Sequence, residues 1–140
     1  MINLQVFFEN GLDEKKEIDM DFFGISLQVA VANAFNSVTT HEKDKINHSD
    51  DVPVRFTEGC KWINDISIPE ICFVLTNDKA AISVANQIKI CNMFSDFFLK
   101  FHQKTIHDYL IGKNISYKVE FINSVSHGYS VNHVNKKTIF

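Results

Sequence analysis

Arginine is almost absent from this chain of 140 residues: Arg55 is the only one, and the other basic residues are lysines. Arginine is the side chain best shaped to bind a phosphate group at two points. The sequence also contains neither a G-x-x-x-x-G-K-[ST] nor a G-x-G-x-x-G motif, which are the phosphate-binding loops of nucleotide sites. These absences disfavour the binding of nucleotides or nucleic acids.

Long apolar runs and an export signal are also missing. The densest apolar segment, residues 90–101, is interrupted by asparagine, serine, aspartate and lysine, and it is shorter than the roughly 20 apolar residues that cross a bilayer. The first residues lack the basic start and the small-residue cleavage site of a signal peptide. The sequence therefore predicts a cytoplasmic protein without a membrane partner.

Three cysteines, Cys60, Cys72 and Cys91, are present without a C-x-x-C spacing. An odd number without that spacing indicates free thiols rather than a disulfide framework or a zinc site. Hydrophobic residues make up 45% of the chain and charged residues 22%, which is ordinary for a globular protein. We therefore expect a single domain over residues 1–140, without a cofactor.

The net charge of -3 conceals an uneven distribution along the chain. Up to Glu70 the formal charge is -7, and from Ile71 onward it is +4. Such a division is typical of a protein that presents an acidic face to a basic partner. Solvated charges scattered over the surface would give the same count.

The first half of the chain alternates strand-like and helix-like patterns. Residues 2–8 predict a strand, and Asn10-Gly11 predicts a turn into a second strand near Ile18 and Met20. A helix over residues 24–38 follows, because its apolar residues share one face. Residues 39–51 are polar and without period, so we expect a long exposed loop there.

The second half begins with two predicted strands, an edge strand over residues 52–56 that contains Pro53 and a central apolar strand over residues 71–77. Residues 79–86 fit either a strand or the start of a helix. The main helix follows, with an apolar stripe at helical spacing. Residues 115–122 predict the last strand, and the tail beyond it is polar.

This order predicts an α+β fold in which two main helices pack on one face of an antiparallel sheet of four to six strands. Without the optional strands, the order becomes that of a ferredoxin-like fold. No internal repeat is evident. The predicted core comprises Val74, Leu75, Phe94, Phe98, Phe101, Val119 and Phe121.

The segment "NSVSHGYSVNH", residues 123–133, collects residue types that are used in catalysis. A nucleophilic serine needs a histidine within hydrogen-bond reach and a third group that orients the histidine. Adjacent Ser126 and His127 do not provide this geometry, since neighbouring strand residues point to opposite faces. Gly128 among serine and asparagine predicts a turn, and we assign no catalytic residue.

Metal ligation is disfavoured by the spacing of the other histidines. His102 and His107 are five residues apart, whereas two ligands on one helix face are four apart. His41 and His48 lie in the acidic loop, and together with its carboxylates they offer a weak metal site at most. No metal is therefore expected.

By elimination, the sequence predicts a non-enzymatic protein-binding module, most simply a bacterial immunity protein or antitoxin that inhibits a basic toxin-like protein. Its partner surface would comprise Asp13, Glu14, Asp44, Asp50 and Asp51, because an acidic surface speeds association with a basic protein. Two alternatives remain open, a small hydrolase or transferase that uses His127 and His133, and a secretion chaperone. Homo-oligomerisation also remains open.

Overall fold

The computed structural model describes residues 2–8, 20–58, 71–78, 82–100, 116–125 and 128–137. These residues form five strands, two α-helices and two short 3₁₀ turns. In chain order the elements are β1 (Ile2–Phe8), α1 (Met20–Val38), the 3₁₀ turns Glu42–Asp44 and Ser49–Asp51, β2 (Val54–Glu58), β3 (Ile71–Asn77), α2 (Val84–Lys100), β4 (Ser116–Val125) and β5 (Gly128–Lys137).

The strands form one mixed sheet in the order β2-β1-β3-β4-β5. Strand β1 is parallel to β2 and β3 is parallel to β4, whereas the β1–β3 and β4–β5 pairs are antiparallel. The predicted α+β class, the two helices and the edge position of β2 are confirmed. The predicted antiparallel sheet is wrong, because each helix connects two neighbouring parallel strands, as such crossovers do.

Four of the five strands form two βαβ units, β1-α1-β2 and β3-α2-β4, which meet at the antiparallel β1–β3 pair, and β5 extends the sheet beyond β4. In a ferredoxin-like sheet another strand separates the two parallel strands of each βαβ unit. Here the parallel strands are direct neighbours, so the ferredoxin-like prediction is wrong. The two units repeat an arrangement of elements that the sequence did not reveal.

One hydrophobic core lies between the helices and one face of the sheet. Burial alternates along β3, where Phe73 and Leu75 are buried and Val74 is half-buried on the other face. The rings of Phe73 and Phe94 meet edge to face at 5.4 Å between centroids, which joins α2 to the central strand. The core placement of Leu75, Phe94, Val119 and Phe121 is confirmed.

The core prediction was wrong at Val74, because the alternation that buries its two neighbours turns it to the opposite face. The side chain of Phe98 and the whole of Phe101 lie outside the described part of the chain. Their placement in the core stays a prediction.

Helix α1 begins earlier than the sequence indicated. Met20 and the three residues after it were predicted to be a strand, and they are helical. Phe23 explains the difference: it lies four residues before Leu27, on the buried face of the helix, and its ring packs 5.8 Å from that of Phe56. The predicted turn at residues 10–11 and Ile18 are outside the described residues.

The start of α2 settles part of the ambiguity at residues 79–86. Ser83 precedes the helix, and its hydroxyl accepts a hydrogen bond of 3.2 Å from the backbone N–H of Asn86, as an N-cap serine does. The Gln87 side chain also donates to the Ile82 carbonyl at 2.7 Å. Residues 84–86 are therefore helical, and residues 79–81 are outside the described ranges.

The polar tail that the sequence predicted after residue 122 is instead a hairpin. Strand β4 continues to Val125, and Val125 pairs with Gly128 at the start of β5. Only residues 126 and 127 separate the two strands. The prediction that the chain changes direction in this segment is confirmed. The prediction that no strand follows is wrong.

Candidate functional site

A cavity of about 470 Å³ lies at the amino end of β1. We call it the β1 cavity. It forms where the first residue of β1 pairs with the last residue of β3, Ile2 with Asn77, and where the segment between α1 and β2 covers that edge. Its lining residues are Ile2, Phe35, Asp44, Lys45, Ile46, Asn47, His48, Asp51, Val52 and Asn77.

Two similar 3₁₀ turns shape the wall of this cavity. Each follows a histidine and ends at an aspartate three residues later: in the first the Asp44 N–H donates to the His41 carbonyl at 3.0 Å, and in the second the Asp51 N–H donates to the His48 carbonyl at 3.0 Å. Asp44 and Asp51 both line the cavity. The segment that the sequence predicted to be a long loop therefore has a defined backbone.

The helix α1 anchors this wall through two amide side chains. Asn36 donates to the Ile46 carbonyl at 2.8 Å and accepts from the Ile46 N–H at 2.7 Å. Gln28 donates to the Val52 carbonyl at 2.9 Å. Val52 itself is buried, and the following Pro53 carbonyl accepts from the Leu4 N–H at 2.9 Å. Both ends of the wall are thus fixed to the core.

The inner end of the cavity has a buried polar group. Asn77 is 1% exposed, and its Nδ2 donates to Oδ1 of Asn123 at 3.0 Å. Asn123 is also buried, at 5% exposure. Because buried amides are costly unless they are hydrogen-bonded, this pair holds the Asn77 side chain in one orientation beside the cavity.

The charged side chains around the cavity differ in whether an ion pair offsets their charge. The Lys45 Nζ lies 3.0 Å from Oε1 of Glu42, so its positive charge is offset within its own turn. Asp44 and Asp51 make no ion pair with another described residue. The described lining residues therefore carry two carboxylates and a single ammonium group.

The amino terminus of the chain lies at the same end of the sheet. It lowers the pKa of the exposed Asp78 carboxyl, first through a hydrogen bond and second through its positive charge. Asp78 directly follows Asn77 at the end of β3. An amino group therefore joins the polar groups at this edge.

Of the five carboxylates that the sequence assigned to a partner surface, Asp44 and Asp51 line the β1 cavity. Asp50 is exposed and is not among the lining residues. Asp13 and Glu14 are outside the described residues. The structure thus brings together two of the five carboxylates, at a cavity rather than on an open face. Their assignment to a protein partner stays an untested prediction.

Neither of the two histidines considered for catalysis is among the described lining residues of this cavity. His133 lies in the edge strand β5, where it pairs with Glu120, and it is not among the cavity residues. His127 is outside the described residues. The sequence analysis considered His48 only as part of a weak metal site and did not consider Asn77 as a site residue, although the repeated spacing of histidine and aspartate in "HEKD" and "HSDD" was a visible signal.

The described residues contain neither a cluster of metal ligands nor a helix that could span a membrane. No group of three or more histidine, cysteine, aspartate or glutamate side chains within the described ranges is placed to hold a metal ion. In the same part of the chain, neither helix combines the length and hydropathy that a membrane span requires.

The fold is similar to that of known enzymes. The chain matches the crystal structure of 5-carboxymethyl-2-hydroxymuconate delta-isomerase with a TM-score of 0.56 over 91% of this chain and 84% of that chain, at 11% sequence identity. It also matches malonate semialdehyde decarboxylase with a TM-score of 0.48 over 91% of this chain and 88% of that chain, at 10% identity. No protein-family model matches the sequence, and no curated protein matches it.

These comparisons correct the functional prediction. The chain was predicted to be a non-enzymatic immunity protein, antitoxin or inhibitor. That prediction is wrong, because nearly the whole chain has the fold of an isomerase. An enzyme was only the alternative prediction because the sequence contains no contiguous catalytic motif, whereas the cavity is built from four segments that are distant in sequence.

Proposed function

We propose that this protein is a small enzyme that moves a proton within an enolisable or unsaturated carbonyl compound bound in the β1 cavity. The cavity carries the proposal: its volume of about 470 Å³ lies within the range of small-molecule sites, which combine apolar walls with a few polar groups. The similarity in fold to a delta-isomerase supports the same class of reaction.

His48 is the proposed proton carrier. Histidine is the side chain most often used for general acid–base catalysis, and His48 lines the cavity at the start of the second 3₁₀ turn. In the proposed reaction the imidazole accepts a proton from the carbon beside the carbonyl, and the electron pair of that C–H bond forms an enolate. The imidazolium then returns the proton to another carbon or to the oxygen.

The rest of the cavity would bind and orient the substrate. Ile2, Phe35, Ile46 and Val52 supply apolar contacts for a carbon skeleton. Asn77 contributes an uncharged polar side chain whose orientation is held by Asn123. A fixed polar group beside an apolar wall selects one orientation of a bound molecule, which is the main requirement for transfer of a proton to a particular carbon.

The proposal is tested by measuring the rate of proton transfer, since this measurement does not depend on which product is formed. Methyl phenylpyruvate is a suitable first substrate, because it carries no net charge, its enol and keto forms absorb differently, and its CH₂ protons exchange with deuterium through the enol. The protein should accelerate both the absorbance change and the deuterium exchange. The second substrate is phenylpyruvate itself, which has the same skeleton and one negative charge.

Matched histidine variants identify the proton carrier. His48→Gln should lower the rate by about 10²- to 10⁴-fold, the usual contribution of a general base. His41→Gln is the control, since His41 starts the equivalent first turn and does not line the β1 cavity. Equal rates for wild type and His48→Gln would remove His48 from the mechanism, and no acceleration of either substrate would contradict the proposed function.

A further inference from the structure

The charged groups of the β1 cavity indicate which substrates it accepts. Lys45 is the only lysine or arginine among the described lining residues, and Glu42 pairs with its ammonium at 3.0 Å. Arg55, the only arginine of the chain, is exposed on β2 and does not line this cavity. The cavity therefore lacks the forked cation that proteins commonly use to bind a carboxylate.

The two carboxylates at the wall have no such compensation. Asp44 and Asp51 have no ion-pair partner in the described part of the chain. Their backbone positions are fixed, since each closes a 3₁₀ turn with a 3.0 Å hydrogen bond and the buried Val52 follows Asp51 directly. These hydrogen bonds hold the backbone of both residues beside the cavity that their side chains line.

We infer that the substrate of this cavity carries no net negative charge, and that Asp44 and Asp51 are the residues that discriminate against anionic acids. The inference rests on the proposed function, and it narrows the substrate class to neutral or positively charged carbonyl compounds. Like charges a few ångströms apart at a partly hydrated site repel by an amount that corresponds to roughly a threefold to tenfold loss of affinity for each carboxylate.

Binding of two inert probes tests this inference separately from catalysis. Phenylacetate and methyl phenylacetate have the same aromatic ring and differ by one charge, and the titration measures their binding whether or not a proton is exchanged. Titration of the ¹⁵N-labelled full chain with each probe, followed at the amides of Ile46 and Val52, reports binding at the cavity wall. The ester should bind about tenfold or more tightly than the anion, and a salt concentration of about 1 M should reduce that ratio by screening.

Isosteric variants assign the preference to the two carboxylates. The double variant Asp44→Asn with Asp51→Asn should bring the ester-to-anion ratio close to one. Asp50→Asn is the control, because it removes the same charge from an exposed neighbour that does not line the cavity, and it should keep most of the wild-type ratio. Circular dichroism spectra of all variants should match that of the wild type.

Several results would overturn the inference: equal or tighter binding of phenylacetate by the wild type, an unchanged ratio in the double variant, or no binding of either probe. The proposed function fails independently, if proton transfer is absent. A preserved ester preference without any turnover would support the charge selection alone, whereas turnover with equal binding of the two probes would contradict the charge selection alone.

Discussion

Asn77 and Asn123 are paired at two levels. They are register partners in the parallel strands β3 and β4, and their side chains are joined by a buried 3.0 Å hydrogen bond. The pair links the two strands at the edge where the β1 cavity lies, since Asn77 also pairs with Ile2. The polar end of the cavity therefore depends on a residue, Asn123, that does not line it.

Removal of this partner should destabilise the fold. Asn123→Ala should lower the free energy of unfolding by about 1 to 3 kcal/mol, because it removes the acceptor of a buried amide. Urea denaturation measures the change. In a double-mutant cycle with Asn77→Ala, the two losses should be non-additive by at least about 0.5 kcal/mol, and simple additivity would show that the observed hydrogen bond has no energetic role.

Asn36 should stabilise the cavity wall from α1. Asn36→Ala removes both hydrogen bonds to Ile46, and we expect a loss of about 1 to 3 kcal/mol together with faster hydrogen exchange at the Ile46 amide. Asn33→Ala makes the same change at an exposed position of the same helix and should stay within about 0.5 kcal/mol of wild type. Equal effects of the two variants would contradict the anchoring role.

Phe94 should be the most sensitive position on α2. It is fully buried and packs edge to face on Phe73, so Phe94→Ala should cost about 3 to 5 kcal/mol in denaturant unfolding. Ile88 on the same helix is 40% exposed, and Ile88→Ala should cost less than about 1 kcal/mol. A reversed order of the two losses would mean that α2 faces the sheet with its other side.

Ionisation of Asp78 should make the stability of the fold depend on pH in the acid range. The amino terminus lowers the pKa of this carboxyl below its ordinary value of 3.8, so the folded state favours the ionised form. The resulting stabilisation is present above pH 3.8 and is lost as the pH falls through the lowered pKa. Asp78→Asn should therefore lower Tm slightly near neutral pH and leave it unchanged in strong acid, whereas a constant difference at all pH values would argue against the ion pair.

Cys91 should make the fold less stable as the pH rises in the alkaline range. Burial raises its pKa from 9.0 to about 12, and the charge of Glu120 adds to the effect. Above the ordinary value the unfolded thiol loses its proton while the folded thiol keeps it, so unfolding becomes more favourable between these two values.

A variant without the thiol tests this. The fall in unfolding free energy between about pH 8 and pH 10 should be smaller for Cys91→Ala than for wild type, since deprotonation of the unfolded thiol no longer contributes to it. In the folded wild type, alkylating reagents should also modify the half-buried Cys72 before the buried Cys91. Faster modification of Cys91 would contradict the burial.

Local patterns predicted several elements of this fold. The continuous apolar run in "ICFVLTN" identified β3, and the spacing of Leu27, Val31 and Phe35 identified the buried face of α1, because both patterns belong to one element. Strand direction and order depend on distant partners. Nothing in "INLQVFF" indicates that β1 pairs with residues 54–58 on one side and 71–77 on the other.

The candidate site was less predictable than the fold for the same reason. Ile2, Phe35, His48 and Asn77 belong to four different elements or connections, and the sheet pairing alone brings them to one cavity. A search for short motifs favours residues that are adjacent in sequence, such as those around His127. The acidic loop was noticed for its charge, whereas its role as a cavity wall depends on the two side chains of α1 that hold it.

The position of β1 also has a consequence for synthesis on the ribosome. This strand is made before both strands that hydrogen-bond to it, since β2 and β3 belong to later parts of the chain. Until residue 77 has emerged from the exit tunnel, Val6 and its neighbours lack a complete set of backbone partners. The growing chain therefore exposes an unpaired apolar strand until β2 and β3 have emerged, a period in which a chaperone that binds extended segments would protect it from aggregation.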